Sequence, residues 1–322
     1  MRLLVTGGAG FIGSHLCAEL INRGHSVICL DNLKTGKLEN LVKLMSNDNF
    51  KLIEGDVTDP IYFDVDGIFN LACPASPVFY QKDPVETAKT SFLGALNLLK
   101  LAKEKNIRIL QASTSEVYGD PNVSPQSENY WGNVNPIGIR ACYDEGKRIA
   151  ESLFFDYHRM YGTDIRVARI FNTYGPNMAI DDGRVISNFI VQSIRKQPVT
   201  VYGDGNQVRS FCYIDDLIEG LLKLFFSKPI YEPINLGNPE AISIGLLAIK
   251  IQEIYANETG VPYIFKKNNV EYLPLPKDDP RLRIPDITKA SNLLGWTPEI
   301  SLDKGIKMSL NYFIKVMNNK HD

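Results

Sequence analysis

The sequence predicts an α/β fold in which a doubly wound parallel sheet is followed by a smaller C-terminal α/β lobe. In the first half of the chain, short apolar runs typical of strands alternate with helix-like segments, which indicates βαβ units. After about residue 172 the sequence becomes rich in Gly, Asn and Asp, as in "VYGDGNQVRSF", a texture typical of loops and short elements. Together the two patterns predict two lobes in one chain.

Six short runs rich in β-branched residues are predicted to be the strands of the sheet: "RLLVT", "HSVICL", "FKLIEGDV", "GIFNLA", "IRILQAS" and "DIRVARI". Apolar residues recur at helical spacing after the first strand and again over 84–105, and they are Leu16, Leu20, Ile21, Phe92, Leu96, Leu99 and Ala102. Later, "SFCYIDDLIEGLLKLFF" returns to a strand and helix pattern, so we expect the chain to revisit the first lobe before it finishes the second.

Composition favours a small-molecule partner. The 322 residues carry a net charge of -2, which argues against nucleic acid or an acidic membrane as partner. Five cysteines without C-x-x-C spacing indicate reduced packing residues, with no metal site and no disulfide frame. The chain starts at a strand, without a cleavage site or spanning helix, so we expect a cytoplasmic protein. None of the four histidines lies beside a plausible nucleophile, which argues against a Ser-His-Asp hydrolase.

The stretch "TGGAGFIGSHL" follows the first predicted strand and opens a helix. Gly8, Gly10 and Gly13 have G-x-G-x-x-G spacing, while Gly7, Gly10 and Gly13 also fit G-x-x-G-x-x-G. Glycine lets the backbone turn tightly and approach a pyrophosphate, whose charge meets the free N–H groups at the start of the helix. This context predicts a Rossmann-type dinucleotide site.

Asp31 ends the second predicted strand, 18 residues after Gly13. A carboxylate there accepts hydrogen bonds from both adenosine ribose hydroxyls and repels a 2′-phosphate, which favours NAD over NADP. Asp56 is expected beside the adenine, and the loop with Leu71 and Ala72 beside the nicotinamide half. The remaining residues expected at the cofactor are Phe11, Ile12, Asn32 and Val57. We therefore expect residues 1–172 to form the NAD-binding domain, with a return near 210–237, and 173–322 to form mainly the substrate lobe.

Polar side chains follow the strand "IRILQAS", in "STSEVYGDP", where ligands of parallel sheets bind. Downstream, Tyr143 and Lys147 are four residues apart on a helical pattern and share one face. An ammonium near a phenol lowers the tyrosine pKa, which makes the tyrosine a usable acid and base. A second Y-x-x-x-K, Tyr263 and Lys267, lies in a strand-like run in which four residues span about 13 Å, so that pair is expected to be uncoupled.

These pieces together resemble the extended short-chain dehydrogenase/reductase family, and within it the UDP-glucuronate decarboxylases. The resemblance covers essentially the whole chain. The stretches that carry it are "GGAGFIGSHL", "STSEVYGDP", "YWGNVNPIGIRACYDEGKR", "ARIFNTYGPNM", "DGRVISNFI", "VYGDGNQVRSF", "NLGNPE" and "DDPRLRIPD". The block around Tyr143 is specific to this branch, whereas the glycine turn is common to the family.

The resemblance implies decarboxylation of UDP-glucuronate to UDP-xylose with NAD: oxidation at C4, loss of carbon dioxide and re-reduction. It gives Thr114, Tyr143 and Lys147 the catalytic positions and ties Glu116 and Arg283 to the decarboxylation. Glu116, or a water that it holds, is expected to protonate C5, and Arg283 to bind the carboxylate in a bidentate fork. The residues expected at the sugar nucleotide are Ser115, Arg140, Asn172, Arg184, Asn188, Tyr202, Arg209 and Arg283. A homodimer through helices near 84–105 and 141–161 is also implied.

Three classes of function stay open at this point: the decarboxylase, a sugar-nucleotide 4-epimerase or 4,6-dehydratase on the same scaffold, and a dinucleotide-binding redox sensor. An intact Thr114, Tyr143 and Lys147 argues against the sensor. Similar dehydratases carry Asp-Glu where this chain has Ser115-Glu116, and similar epimerases lack the second acid. Glu116 and Ser115 therefore favour the decarboxylase. Ordinary packing or surface roles for Glu116 and Arg283, including a surface pair of Arg283 with Asp286, are the competing interpretation.

Overall fold

The computed structural model describes residues 1–261 and 270–318. Its strands are β1 (Arg2–Thr6), β2 (Ser26–Asp31), β3 (Phe50–Glu54), β4 (Gly67–Asn70), β5 (Arg108–Thr114), β6 (Ile165–Ile170), β7 (Thr173–Tyr174), β8 (Val199–Tyr202), β9 (Val208–Ser210), β10 (Cys212–Tyr213), β11 (Pro233–Leu236), β12 (Ala241–Ser243), β13 (Val270–Leu273) and β14 (Leu282–Arg283). Its α-helices are α1 (Phe11–Asn22), α2 (Pro77–Tyr80), α3 (Pro84–Lys89), α4 (Ala95–Lys105), α5 (Ala141–Tyr161), α6 (Val185–Ile194), α7 (Ile214–Phe226), α8 (Ile244–Thr259), α9 (Thr288–Leu294) and α10 (Leu302–Asn318).

Seven parallel strands form the central sheet in the order β3-β2-β1-β4-β5-β6-β11. The first six strands in sequence are the six predicted runs, so the predicted Rossmann-type, doubly wound sheet is confirmed. Strand order reverses beside β1, which leaves a crevice between the ends of β1 and β4, the usual ligand position in such sheets.

Successive side chains of β1 point to opposite faces and enter two separate apolar layers. Leu3 and Val5 pack into the layer that holds α1 and α7, while Leu4 packs with Leu98 of α4 and Phe154 of α5. Because both faces of the sheet are covered, its strands are apolar throughout, and the polar residues concentrate at the strand ends.

The helix predicted over 84–105 is interrupted. Between α3 and α4 the chain makes a π-helical turn, Thr90–Gly94, which inserts one extra residue into the helical repeat. The extra residue rotates the helix face, so Phe92, which we expected to be buried with Leu99, is 38% exposed. The turn brings Ser91 against α5, where a Cβ on Gly146 would lie 3.0 Å from its side chain.

The second part of the chain forms three small sheets, β10-β7, β12-β9-β14 and β13-β8, with α6, α8 and α10 packed beside them. The chain also re-enters the first part, because α7 packs on α1 and β11 pairs with β6. The exact division into two domains stays a proposal that these contacts support.

Among the described residues, no helix is long and apolar enough to cross a membrane. The cysteines, all of them described, are free, as the sequence predicts.

Candidate active site

A cavity of about 600 Å³ opens at the carboxyl ends of the central strands and extends under the small sheets. Every residue predicted at the cofactor or the substrate lines it, with the exception of Asp56. The chain therefore gathers residues as distant in sequence as Gly7 and Arg283 around one cleft.

The glycine turn forms one end of the cavity. Gly7 has φ +69° and lies so close to the loop after β4 that a Cβ would be 2.9 Å from the backbone of Ala72, and a Cβ on Gly13 would be 2.1 Å from the Gly7 carbonyl oxygen. Gly8 instead faces Cys17 and Cys29 in the core. The structure thus selects the G-x-x-G-x-x-G pattern for the ligand. Helix α1 starts without a side-chain cap, and its N–H groups face the cavity, which fits a pyrophosphate.

Asp31 lines the cavity beside the glycine turn, where its carboxylate accepts hydrogen bonds from the backbone N–H groups of Ala9 and Leu33 at 2.9 and 2.8 Å. Burial raises its pKa. The glycine turn and this acid together fit NAD, as predicted.

Asp56 does not line the cavity. Asn32 and the backbone and hydroxyl of Thr58 donate to its carboxylate at 2.8 to 3.0 Å. Despite partial burial, these hydrogen bonds and Lys34 hold the pKa of Asp56 at about 2. Asp56 therefore fixes Asn32, which does line the cavity, and the predicted contact of Asp56 with the adenine has no support here.

Thr114, Tyr143 and Lys147 meet at the end of β5. Thr114 and Tyr143 both line the cavity, and Lys147 Nζ donates to the Ala112 carbonyl oxygen at 2.9 Å and lies 5.7 Å from the centre of the Tyr143 ring. The expectation that Lys147 lowers the pKa of Tyr143 is not met. Burial raises the pKa of Tyr143, and neighbouring Cys73 adds to the increase.

Glu116, in a 3₁₀ helix (Ser115–Tyr118) directly after β5, is buried in a charge cluster. Arg283 binds its carboxylate through two contacts of 2.5 and 2.7 Å, and Arg140 adds a third of 2.8 Å. Burial alone would raise its pKa, but the two guanidinium groups lower it to about 2. Arg283 is 6% exposed, so it is not in a surface pair with Asp286, and its bidentate fork holds Glu116.

The charge cluster extends to Asp279, which contacts Arg140 at 3.5 Å and Arg209 at 2.8 Å. Burial and the neighbouring Arg283 lower the pKa of Arg209 to about 10, so it stays charged at neutral pH. Three guanidinium groups thus face two carboxylates, and the net positive charge of the cluster favours an anionic ligand.

The remaining predicted substrate residues also line the cavity, and Ser115 lies directly before Glu116 in the 3₁₀ helix. Arg184 forms an ion pair with Asp182 at 2.5 Å and lies over the Phe11 ring, with 5.9 Å between guanidinium and centroid. Asn172 and Asn188 donate to backbone carbonyl groups, at 3.3 and 3.1 Å. Tyr202 is 42% exposed at the rim.

Other cavity residues were missed from sequence. They include Lys34, Cys73, Tyr80, Lys277 and Asp279. The ring of Tyr80 stacks on Tyr143 with centroids 5.0 Å apart and planes at 4°. Only Asp279 lay within a stretch, "DDPRLRIPD", that the resemblance singles out. Tyr263 and Lys267, the second Y-x-x-x-K, lie outside the described residues.

A parallel sheet with a glycine turn after β1, and with Tyr143 and Lys147 of α5 beside the end of β5, is typical of a class of NAD-dependent enzymes. The family model described as GDP-mannose 4,6 dehydratase matches residues 4–309. The chain belongs to the extended short-chain dehydrogenase/reductase family, in which it groups with the UDP-glucuronic acid decarboxylases. It is 53% identical over 313 residues to UDP-glucuronic acid decarboxylase 2 of Arabidopsis thaliana, which covers 97% of this chain and 68% of that protein.

The zebrafish (Danio rerio) UDP-glucuronic acid decarboxylase 1 is 48% identical over 319 residues, which are 99% of this chain and 74% of the relative. Among solved structures, UDP-glucuronic acid 4-epimerase from Bacillus cereus, in complex with UDP-glucuronic acid and NAD, superimposes with a TM-score of 0.84 at 30% identity and covers 98% of this chain and 100% of that one. UDP-glucose 4-epimerase from Thermotoga maritima superimposes with a TM-score of 0.86 at 31% identity and covers 98% of this chain and 100% of that one. The scaffold is thus shared with epimerases, and function depends on the residues at the cavity.

Proposed function

We propose that the chain converts UDP-glucuronate to UDP-xylose and carbon dioxide with NAD as its cofactor. The observation that carries the proposal is that Thr114 and Tyr143, groups suited to alcohol oxidation, share one cavity with the positively charged cluster around Arg140 and Arg283. Such a cavity suits a sugar that carries both a hydroxyl and a carboxylate. The similarity to curated decarboxylases points to the same reaction.

Tyr143 takes the proton of the sugar 4-hydroxyl, and Thr114 donates a hydrogen bond to the same oxygen. When bound, NAD supplies the acceptor and later the donor of the C4 hydride, and its positively charged ring lowers the pKa of a nearby phenol. Lys147, whose Nζ lies 5.7 Å from the centre of the Tyr143 ring, would hold the nicotinamide ribose. The 4-keto acid then loses carbon dioxide as the C5–C6 bond breaks, and the electron pair is held as an enolate by hydrogen bonds to the 4-oxygen from Thr114 and Tyr143.

A proton must next reach C5. Because two arginines hold Glu116 ionised, it orients a water for this step and does not itself donate in the observed arrangement. Arg283 and Arg140 orient the substrate carboxylate, which competes with Glu116 for the same guanidinium groups. An orienting role fits the chemistry, since a tighter hold on the carboxylate would stabilise the ground state and slow its loss. Finally Tyr143 returns its proton to the 4-oxygen as C4 is reduced.

Incubation of the purified protein with NAD and UDP-glucuronate, followed by NMR of the products, tests the proposal. We expect UDP-xylose, and no product from Tyr143→Phe although that variant still binds NAD. UDP-galacturonate from UDP-glucuronate would indicate an epimerase. UDP-4-keto-6-deoxyglucose from UDP-glucose would indicate a dehydratase, although Ser115 lacks the acidity to expel a 6-hydroxyl.

The proposal includes a homodimer and a cytoplasmic location. Helices α3 and α5 present exposed apolar side chains, with Val85 66% and Ile149 43% exposed, and Phe92 in the π-helical turn between α3 and α4 is 38% exposed. A second copy of the chain would cover them in a four-helix contact. Five free thiols fit a reducing compartment.

A further inference from the structure

A set of buried hydrogen bonds runs behind the Glu116–Arg283 ion pair. Tyr118 lies two residues after Glu116 in the same 3₁₀ helix and donates its hydroxyl to Oδ1 of Asn235 at 2.7 Å. Asn235 belongs to the edge strand β11, and its own backbone N–H donates to Glu128 at 2.9 Å. The side chain of Asn235 is thus tied directly to the helix that carries Glu116.

On its other side, Asn235 reaches the segment that carries Arg283. Its Nδ2 donates to the carbonyl oxygens of Gln126 and Asp286, both at 3.0 Å. Gln126 in turn exchanges two hydrogen bonds of 2.8 Å with Ile284, through its backbone N–H and its Oε1. Ile284 follows Arg283, whose guanidinium returns to Glu116. The contacts therefore form a closed ring.

The part of the ring behind the ion pair is buried and its hydrogen-bonding groups are satisfied. Asn235 and Gln126 are 0% exposed and Tyr118 is 1% exposed. Both polar atoms of the Asn235 side chain have partners, and none of these partners belongs to the strand ladder of β11 with β6. A fully bonded amide in a low-dielectric interior holds its neighbours in one arrangement.

Asn235 is also the first residue of the stretch "NLGNPE". No residue of this stretch lines the cavity, so direct contact with a ligand does not explain it. We propose that Asn235 is a positioning residue of the reaction, which keeps Arg283 opposite Glu116 by holding the 3₁₀ helix and the segment 284–286 at a fixed separation. This inference rests on the proposed function. Since Glu116 and Arg283 serve the steps after C4 oxidation, a looser ring slows those steps and spares the oxidation by Thr114 and Tyr143.

The test uses two variants of the ring. Asn235→Ser removes the side-chain amide, and Tyr118→Phe removes the hydroxyl that donates to it. Rapid mixing of the NAD-loaded protein with UDP-glucuronate gives the rate of C4 oxidation from the absorbance of the reduced cofactor, and NMR gives the rate of UDP-xylose formation. In both variants we expect UDP-xylose formation to fall about 10- to 100-fold, while the oxidation rate changes by less than about threefold. Reduced cofactor then accumulates.

Asp216→Asn is the matched control, because Asp216 is a buried carboxylate away from the cavity that accepts hydrogen bonds from the N–H groups of Glu299 and Ile300. It should lower the unfolding temperature and leave the ratio of the two rates unchanged. Equal slowing of both rates by the ring variants, or no slowing, would overturn the inference. If Asn235→Ser does not fold, Tyr118→Phe decides alone. A lack of UDP-xylose from the unmutated protein would instead overturn the proposed function, and with it the inference.

Discussion

Glu116 is surrounded by two arginines, and its charge is needed to balance them. Glu116→Gln keeps the shape of the side chain but removes the carboxylate partner of Arg283 and leaves Arg140 only its longer contact with Asp279. We expect UDP-xylose formation to fall by about 10²-fold or more, the usual scale for losing a group that positions a proton transfer. Titration with NAD should give an unchanged affinity, since the glycine turn is untouched. A variant with full turnover would return Glu116 to a purely structural role.

Asp31 provides a second residue-scale prediction, because a 2′-phosphate would meet its carboxylate. The unmutated protein should bind NAD more tightly than NADP. Asp31→Ala should bring the two affinities closer, because it weakens the binding of NAD and removes the repulsion of the 2′-phosphate of NADP. Calorimetric titration of both proteins with both cofactors measures the difference in affinity. Equal affinities in the unmutated protein would contradict the assignment.

Asp144, the residue after Tyr143, contributes to the free energy of unfolding by an amount that depends on pH. Burial, and then the nearby Glu116, raises its pKa to about 7, well above the usual range of an aspartate. Between roughly pH 4 and 7 the folded protein therefore keeps a proton that the unfolded chain has released, so stability falls as the pH rises through this window, by about 1.4 kcal/mol for each unit of pKa difference. Asp144→Asn cannot ionise, and its unfolding temperature relative to the unmutated protein should increase as the pH rises from 4 to 7. A difference independent of pH would show that Asp144 is ionised when folded.

At the scale of single elements, the glycines of the glycine turn have two different roles: Gly10 leaves room for a ligand, and Gly8 packs in the core. A Cβ on Gly10 would meet only the Gly7 carbonyl oxygen, at 3.2 Å, and would otherwise project into the cavity, whereas a Cβ on Gly8 would lie 2.4 Å from the Cys29 sulfur in the core. Gly10→Ala should reduce NAD affinity at least about tenfold with a small change in the unfolding temperature of the cofactor-free protein. Gly8→Ala should mainly lower that temperature, by overpacking. Titration and thermal unfolding distinguish the two, and the same profile in both variants would refute the division of roles.

Elements defined by local pattern could be predicted from the sequence, because strand alternation, the glycine turn and the Tyr143–Lys147 spacing each lie within a few residues. Long-range partners could not be predicted from local pattern. Asp279 joins Arg140 and Arg209 only through folding, and the charge state of Glu116 depends on residues from three segments. Two local features could not be predicted either. The Asp56 carboxylate is already hydrogen-bonded by Asn32 and Thr58. The π-helical turn has no characteristic spacing of apolar residues in the sequence.

At the scale of the whole molecule, the exposed apolar side of α3 and α5 predicts self-association. Phe92→Glu places a charge within the proposed four-helix contact and should convert a dimer into a monomer, as measured by light scattering after size-exclusion chromatography. Tyr62→Glu is the control, because Tyr62 is 83% exposed and lies outside these helices. A monomeric unmutated protein, or a Phe92→Glu variant that stays dimeric, would contradict the proposed assembly.

The Glu116–Arg283 pair closes a loop of 167 residues. During synthesis, β1, β2 and the glycine turn emerge with their neighbours close in sequence, whereas Arg283 emerges 167 residues after its partner Glu116. Contacts of such high sequence separation form late because the entropy of loop closure opposes them. A growing chain therefore has the parts proposed to hold the cofactor well before it has the part proposed to help break a carbon–carbon bond, so chemistry begins only after Arg283 has joined Glu116.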